Sequence, residues 1–433
     1  MIFPAYLLWL FTASFGLVHA LSNCSYQAVQ EYLGLDKDNI KMTSLRPVLH
    51  WRTPTLVLAD IYVSSITEMN EKAQTFSPLV YLEMGWVNEF TKWNPADFCG
   101  IDHISVPKEM LWIPDITITE NIRAEFSTKE PPFLKIKSEG IVAVVEAYTM
   151  TSACKMDLHL FPFDIQSCTL TLQSFLHNID EIKIDAYSNA SILTISSKQF
   201  FQTQGEWDLV SINMSKAHIQ ASGRVWDQLT YTITIKRRPL LYVVIFLLPI
   251  LYFLVLDLAC FFIADDGGEK LSFKVTLLLA ISVLLLILHD MLPSTSDDLP
   301  LIGVYCSGIF TFTAVSLLET ILVTFLKTQD VQAIAKLYGK TATASALLDT
   351  REGASQRTPD SERSGELCSN TVLQRILTEL QNMHQHLLTK ETQKQKMTLR
   401  WTKVAKAIDK TFTVIYVSSV TWFLQHIWQA WSP

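Results

Sequence analysis

The chain has 433 residues, of which 49% are hydrophobic and 18% charged, with a formal net charge of −7. That composition is too apolar for a disordered chain and long enough for more than one domain. Its mild acidity offers no basic footprint for a polyphosphate backbone, so no nucleic-acid partner is expected.

Residues 1–20, MIFPAYLLWLFTASFGLVHA, contain no Asp, Glu, Lys or Arg and end in Val18-His19-Ala20. An apolar run closed by a small residue reads as a signal peptide cleaved near Ala20, with a signal anchor as the alternative. Asn23, Asn189 and Asn213 each open an N-x-S/T glycosylation acceptor, and all precede the first long apolar span. A cleaved signal and these sites together put residues 21–238 outside the cell.

Tyr26–Leu33 reads as a short helix, and residues 47–238 then read as strands. The runs TLVLADIYV (55–63), LVYLEM (79–84), CTLTLQSF (168–175) and QLTYTITIKR (228–237) alternate apolar and polar side chains. Turn residues such as Asn94-Pro95, Pro131-Pro132 and Ser222-Gly223 separate such runs. This pattern predicts an extracellular β-sandwich. Within it, Cys154 and Cys168 bound the small ring CKMDLHLFPFDIQSC. A disulfide there suits the oxidising exterior and is worth roughly 3 kcal/mol by loop entropy. The ring reads either as a simple staple or as a knob. Phe161, Pro162, Phe163 and Asp164 make its tip rigid and partly apolar, a surface that wants a partner. Spacing leaves open whether Cys24 and Cys99 pair.

Four later stretches are long enough to cross a bilayer: Pro239–Ile263, Leu271–Leu292, Leu301–Leu326 and Phe412–Trp431. They define three helices within 239–326, a cytoplasmic segment at 327–410, and a last helix with an extracellular C-terminus at 411–433. Lys327, Lys336, Lys340, Arg351, Arg357, Arg363 and Arg375 in the cytoplasmic segment fit the positive-inside bias. Residues 341–370 are small, polar and aperiodic, which predicts disorder. Leu373, Ile376, Leu377, Leu380, Met383 and Leu387 then form the apolar stripe of an amphipathic helix.

The second span carries more than hydrophobicity. At helical periodicity, Glu269, Ser272, Thr276, Leu279, Val283, Leu286 and Asp290 fall within roughly 100° of one another. The stripe is about 31 Å long at the helical rise per residue, close to the hydrocarbon thickness. Carboxylates stand at both ends, hydroxyls in the lower half and branched apolar residues above. Repeated around a symmetry axis, the stripe forms rings: Glu269 attracts cations, while Leu279 and Val283 make a dry constriction. Lys274 lies on the opposite face. Asp257 and Glu319 are expected to face other helices or the cytoplasmic interface, as structural partners, with ion contact as the alternative. No HExxH, GxSxG, phosphate-loop or paired-CxxC arrangement occurs, so no enzyme, cofactor or metal reading has residues to rest on.

A C-x13-C ring enclosing FPFD, followed by a β-rich region that leads through RRP into four spans, resembles the Cys-loop pentameric ligand-gated channels. Within that family the chain is most similar to type 3 serotonin receptor subunits. The strings WNPADF (93–98), LWIPDITITE (111–120), QGEWDL (204–209), GEKLSFKVTLLL (268–279) and LPLIGVY (299–305) carry the resemblance. It implies a homo- or hetero-pentamer in the plasma membrane, at a synapse, gated by an amine neurotransmitter such as serotonin. Sodium and potassium, with calcium, would be the permeant ions. The ring tip and Arg237/Arg238 would couple agonist capture to the gate.

The resemblance also implies an agonist site between neighbouring subunits, where aromatic rings hold an ammonium by cation–π attraction. One side would be Glu120, Phe175 and Trp226, the other Tyr81, Glu83 and Tyr187. Serotonin-gated subunits usually carry Trp where this chain has Phe175 and Tyr81, and Arg where it has Glu83. Those departures leave open a non-conducting or obligate accessory subunit as the alternative. A four-span adhesion or scaffold protein is the rival from another class, and it would need no ordered pore stripe.

Overall fold

The computed structural model describes residues 24–126, 133–202, 205–263, 269–292, 299–352 and 366–432. The signal peptide expected at 1–20 and the acceptor Asn23 lie outside the described residues. Two compact units emerge, one from Met1–Val243 with His289–Pro300, the other from Val244–Leu288 with Leu301–Pro433.

The first unit is built on two sheets. The larger runs in the order β3 (His103–Pro107), β6 (Phe133–Lys137), β7 (Ile141–Ala153), β2 (Thr75–Val87), β1 (Thr55–Asn70), β9 (Ile182–Asp185), with β5 (Asn121–Phe126) also on β7. The smaller runs β10 (Trp207–Ala221), β11 (Arg224–Arg237), β8 (Ile165–Ser174), β4 (Ile116–Ile118). Alternation decides the faces: Val57, Ala59, Ile61 and Val63 of β1 are fully buried, as are Leu170, Leu172, Ile233 and Ile235 of the smaller sheet. Each of the valines, leucines and isoleucines among them contributes about 1.5–3 kcal/mol by leaving water. The Tyr231 hydroxyl crosses between the sheets to donate to the Ala59 carbonyl at 2.5 Å. The sandwich expected from the strand pattern is therefore present.

Two features refine that expectation. Helix α1 (Tyr26–Tyr32) is capped by Ser25, whose Oγ accepts the Ala28 amide at 3.0 Å. A longer helix, α2 (Ala190–Phe200), interrupts the region read as strands throughout. Asn189 caps it, accepting the Ile192 amide at 2.9 Å, and Leu193 and Ser197 fall on one buried face four residues apart. Thr194 docks the helix by accepting the Ile212 amide of β10 at 3.0 Å. Both cysteine pairs are joined, Cys154 to Cys168 and Cys24 to Cys99.

The second unit is helical. It contains most of α3 (Leu240–Cys260) and α4 (Glu269–Met291), together with α5 (Leu301–Glu352) and α6 (Glu366–Trp431). Among the described residues, three helical stretches are long and apolar enough to cross a membrane: Leu240–Cys260, Glu269–Met291 and Leu301–Gln329. The expected fourth span at 412–431 is helical, as the C-terminal part of α6, but is not one of these. Ser418, Ser419, Thr421, Gln425, His426 and Gln429 dilute its apolarity. It nonetheless packs in the bundle, with the Phe423 ring against Gly308, where a Cβ would stand 2.2 Å from that ring. Helix α5 runs to Glu352 and α6 starts at Glu366, so helix enters both ends of the segment read as disordered. Ala342, Ala344, Ala346, Leu347 and Leu348 favour helix there on propensity.

Candidate functional site

The six expected agonist contacts divide between the two sheets. Glu120, Phe175 and Trp226 belong to the smaller one. Glu120 follows β4, and its carboxylate accepts the Thr171 amide and the Thr171 hydroxyl, each at 2.7 Å. Those bonds tie the β4–β5 corner to β8, which makes Glu120 a clasp within this chain. Phe175 is 84% exposed at the end of β8. Its loop is shaped by Asp115, which accepts from the Leu176 amide at 2.6 Å, Ser174 Oγ at 2.8 Å and His177 Nδ1 at 2.9 Å. Burial pushes the Asp115 carboxyl up, but the bonds from His177, Leu176 and Ser174 outweigh it and hold it below the usual carboxylate value. Trp226 lies near the start of β11, close to the hairpin turn at Ser222 and Gly223, where both residues have positive φ.

Tyr81, Glu83 and Tyr187 belong to the larger sheet. Glu83 on β2 pairs in register with the buried Asp60 on β1, and Tyr62 pairs with Tyr81. Asp60 accepts the amides of Tyr187 and Ser188 at 3.1 and 3.3 Å, which draws the loop after β9 over this surface. The Tyr187 hydroxyl lies where a Cβ on Gly85 would stand, so only glycine leaves it room. Burial, then Glu83 and Asp60, raise the Tyr187 phenol. Tyr81, Glu83 and Tyr187 thus form an electronegative aromatic surface at the chain's exterior.

The ring between Cys154 and Cys168 folds inward more than its sequence suggests. Phe161 and Asp164 are buried, and Phe163 is 38% exposed. Arg237, at the end of β11, donates through Nε to Asp164 at 2.8 Å and through Nη2 to Glu71 at 2.7 Å. Glu206 lies 3.7 Å away. The guanidinium also stacks over Trp207 at 4.2 Å and Phe161 at 4.8 Å. Burial lowers its pKa, but Asp164 and Glu71 raise it further, so the group is firmly charged. Arg238 behaves differently: it is about half exposed and ion-paired with Asp208. Glu71 escaped the sequence reading, since 166 residues separate it from Arg237, and Glu206 and Trp207 entered it only within the string QGEWDL, without a role.

Helix α4 separates its faces as the stripe predicts. Glu269, Ser272, Thr276, Leu279, Val283, Leu286 and Asp290 are all exposed, whereas Lys274, Leu277, Ile281 and Leu288 are buried. Leu279 and Leu286 are each 64% exposed. On the buried side Lys274 reaches Ser316 of α5, lies 3.7 Å from Asp257 of α3 and sits 4.3 Å over the Phe261 ring. Asp257 also accepts from Tyr416 of α6 at 2.6 Å and from Ser316 at 3.1 Å. Asp257 is thus a structural partner, as expected. Among the described residues no cluster of three or more His, Cys, Asp or Glu side chains could hold a metal ion. Asn189 and Asn213 are both exposed, as a glycan acceptor must be.

Residues 38–239 match the neurotransmitter-gated ion-channel ligand binding domain, and residues 246–338 match the neurotransmitter-gated ion-channel transmembrane region. The chain is similar to the 5-hydroxytryptamine receptor 3A of Cavia porcellus, 36% identical over 298 residues, covering 68% of this chain and 60% of that protein. It is 26% identical to the human 5-hydroxytryptamine receptor 3B over 420 residues, covering 95% of this chain and 92% of that one. Against the human neuronal acetylcholine receptor subunit beta-3 it is 32% identical over 282 residues, covering 64% of this chain and 60% of the other. The chain therefore spans about 60% of the length of the 3A receptors it matches.

Proposed function

Since the chain belongs to the neurotransmitter-gated ion-channel family, we propose that it is one subunit of a pentameric, cation-selective channel opened by a small amine. Serotonin is the first agonist to test, given the similarity to 5-hydroxytryptamine receptors. The carrying observation is the unpartnered face of α4, on which seven stripe residues are exposed while the opposite face is buried. Five copies around an axis give that face partners. The Glu269 ring then concentrates cations, and the Leu279 and Val283 rings close the pore by dewetting. Neighbouring subunits bring Glu120, Phe175 and Trp226 of one against Tyr81, Glu83 and Tyr187 of the next. The rings hold the ammonium with about 2 kcal/mol or more when desolvated. The anchored ring at Phe161–Asp164, with Arg237, relays capture to the gate. Sodium and potassium, with calcium, are the ions carried, Asn189 and Asn213 bear glycans, and the C-terminal part of α6 is the fourth span.

Whole-cell recording with a panel of amines tests this reading. Glu269→Ala should weaken the preference for cations in reversal potentials, and an unchanged cation-to-anion ratio would remove Glu269 from the pore. A second reading, an obligate accessory subunit, is favoured by Glu83, which places a carboxylate beside the Tyr187 phenol at the aromatic surface. Expression alone separates the two: current in the absence of other subunits rules out the accessory role.

A further inference from the structure

The base of the β10–β11 hairpin carries a charged cluster that agonist capture, as described above, leaves unused. Asp227 directly follows Trp226 on β11 and stands in register with His218 on β10. Its side chain is 2% exposed, and Oδ2 accepts the Ile184 amide of β9 at 2.9 Å. One carboxylate therefore ties the hairpin to the opposite sheet. Lys216 of β10 lies 3.5 Å from Asp227 Oδ2 and reaches Asp185 of β9 at 3.3 Å. The other oxygen is less well served. Oδ1 is buried without a hydrogen-bond donor among the described residues. His218 Nδ1 lies 3.1 Å from it at charge-pairing distance, and the imidazole is 53% exposed.

A buried carboxylate oxygen without a donor costs stability, and an imidazolium beside it offsets that cost. Trp226 is half-buried, and no hydrogen bond holds its indole, whose Nε1 is buried, among the described residues. With no hydrogen bond to the indole, the backbone that Asp227 pins one residue further on carries much of the ring's placement.

We propose that Asp227 and His218 are positioning residues for Trp226, and that protonation of His218 tightens the hairpin base and strengthens agonist capture. This inference rests on the assignment of Trp226 as an agonist contact. The groups around His218 are Asp227 on β11, Lys216 on its own strand and Asp185 on β9 beyond Lys216. Of these residue types only histidine ordinarily changes charge between about pH 6 and 8, so the proton on the imidazole beside Oδ1 is the variable to test. Because it is half exposed, its pairing is partly screened. The expected gain is about two- to five-fold in half-maximal agonist concentration.

The full-length channel, with serotonin as the probe, would be recorded at about pH 7.8 and about pH 6.2. The purified full-length protein would be followed by hydrogen exchange at the same two values, corrected for intrinsic rates, over peptides containing Ile184 and residues 214–228. In the wild type, acidification should lower the half-maximal concentration and raise protection in both peptides. His218→Gln should flatten both responses. Asp227→Asn, which keeps an acceptor for the Ile184 amide but loses the charge, should flatten them too. A merely structural role would shift agonist sensitivity equally at both pH values, and that result overturns the proposal. So does a His218→Gln response that parallels the wild type, or protection that follows pH while agonist sensitivity does not. If serotonin and the other amines of the panel evoke no current, the agonist assignment fails. Exchange then judges the anchor alone: a pH response lost in His218→Gln supports it, and one retained overturns it.

Discussion

Arg237 in the first unit and Lys274 in the second are both cations whose side chains are 0% exposed, yet they are held in opposite ways. Arg237 has a planar fork, and each edge is used: Asp164 accepts from Nε and Nη2, Glu71 from Nη2, and Trp207 and Phe161 cover the faces. Lys274 is a point charge on a flexible stem. Ser316 accepts hydrogen bonds from its ammonium through Oγ and the backbone carbonyl, while its carboxylate partner Asp257 stands 3.7 Å away. Asp257 in turn has donors of its own in Tyr416 and Ser316. The first arrangement fixes a geometry many times over. The second fixes the cation through one serine and a carboxylate at ion-pair distance, with no fork to set its orientation.

The sharpest way to break this contrast is to remove the fork. Arg237→Gln leaves Asp164, 2% exposed, without its cation, a loss of about 3–5 kcal/mol. Surface biotinylation should show little or no assembled protein. Arg237→Lys restores the charge but not the fork, and should recover assembly only in part. Wild-type surface levels for Arg237→Gln would mean that the network is ornamental.

Lys274→Met should cost less, about 1–3 kcal/mol, because Asp257 keeps two hydroxyl donors after the cation has gone. Thermal unfolding of the detergent-purified protein measures it. Pairing the change with Asp257→Leu removes the stranded charge as well and should return much of the loss. If Lys274→Met were as damaging as Arg237→Gln, the two sites would be equally fixed and the contrast would fall.

The same contrast marks how far the sequence could be read. The α4 stripe was legible because a helical period is a local property, and seven positions between 269 and 290 share one phase. Lys274 could be assigned to the opposite face for the same reason. Its partners could not: Ser316 lies 42 residues away, and nothing in the spacing singles it out. Asp164 was legible through the ring that contains it, while Glu71 and Glu206 carried no local signal. Cys24 and Cys99 pair across 75 residues, again beyond any local pattern. Helix α2 was missed for a different reason, since ASILTISSKQF sits among strands and its β-branched residues suit either state. Asn189 as an N-cap, with Leu193 and Ser197 four apart, was the available cue.

Arg238 sharpens the comparison from the other side, because it shares a motif with Arg237 and has the weakest hold. Sequence reading treated the two as a pair. Arg238 is about half exposed, and its salt bridge is to Asp208, itself half exposed. The hydrogen bond from Arg238, against a small opposing effect of burial, holds the Asp208 carboxyl below its usual value near 3.8. A depressed carboxylate contributes stability that is present above the ordinary value and lost as pH falls through the folded one. Arg238→Gln should therefore leave assembly intact and change thermal stability little at neutral pH. What difference remains should shrink at high salt, by screening, and vanish in acid once Asp208 is protonated. Melting curves of both proteins at low and high salt, at neutral pH and in acid, measure this. A large loss in Arg238→Gln that salt does not touch would show that Arg238 belongs to the buried network after all, and that Arg237 is not the sole anchor of the motif.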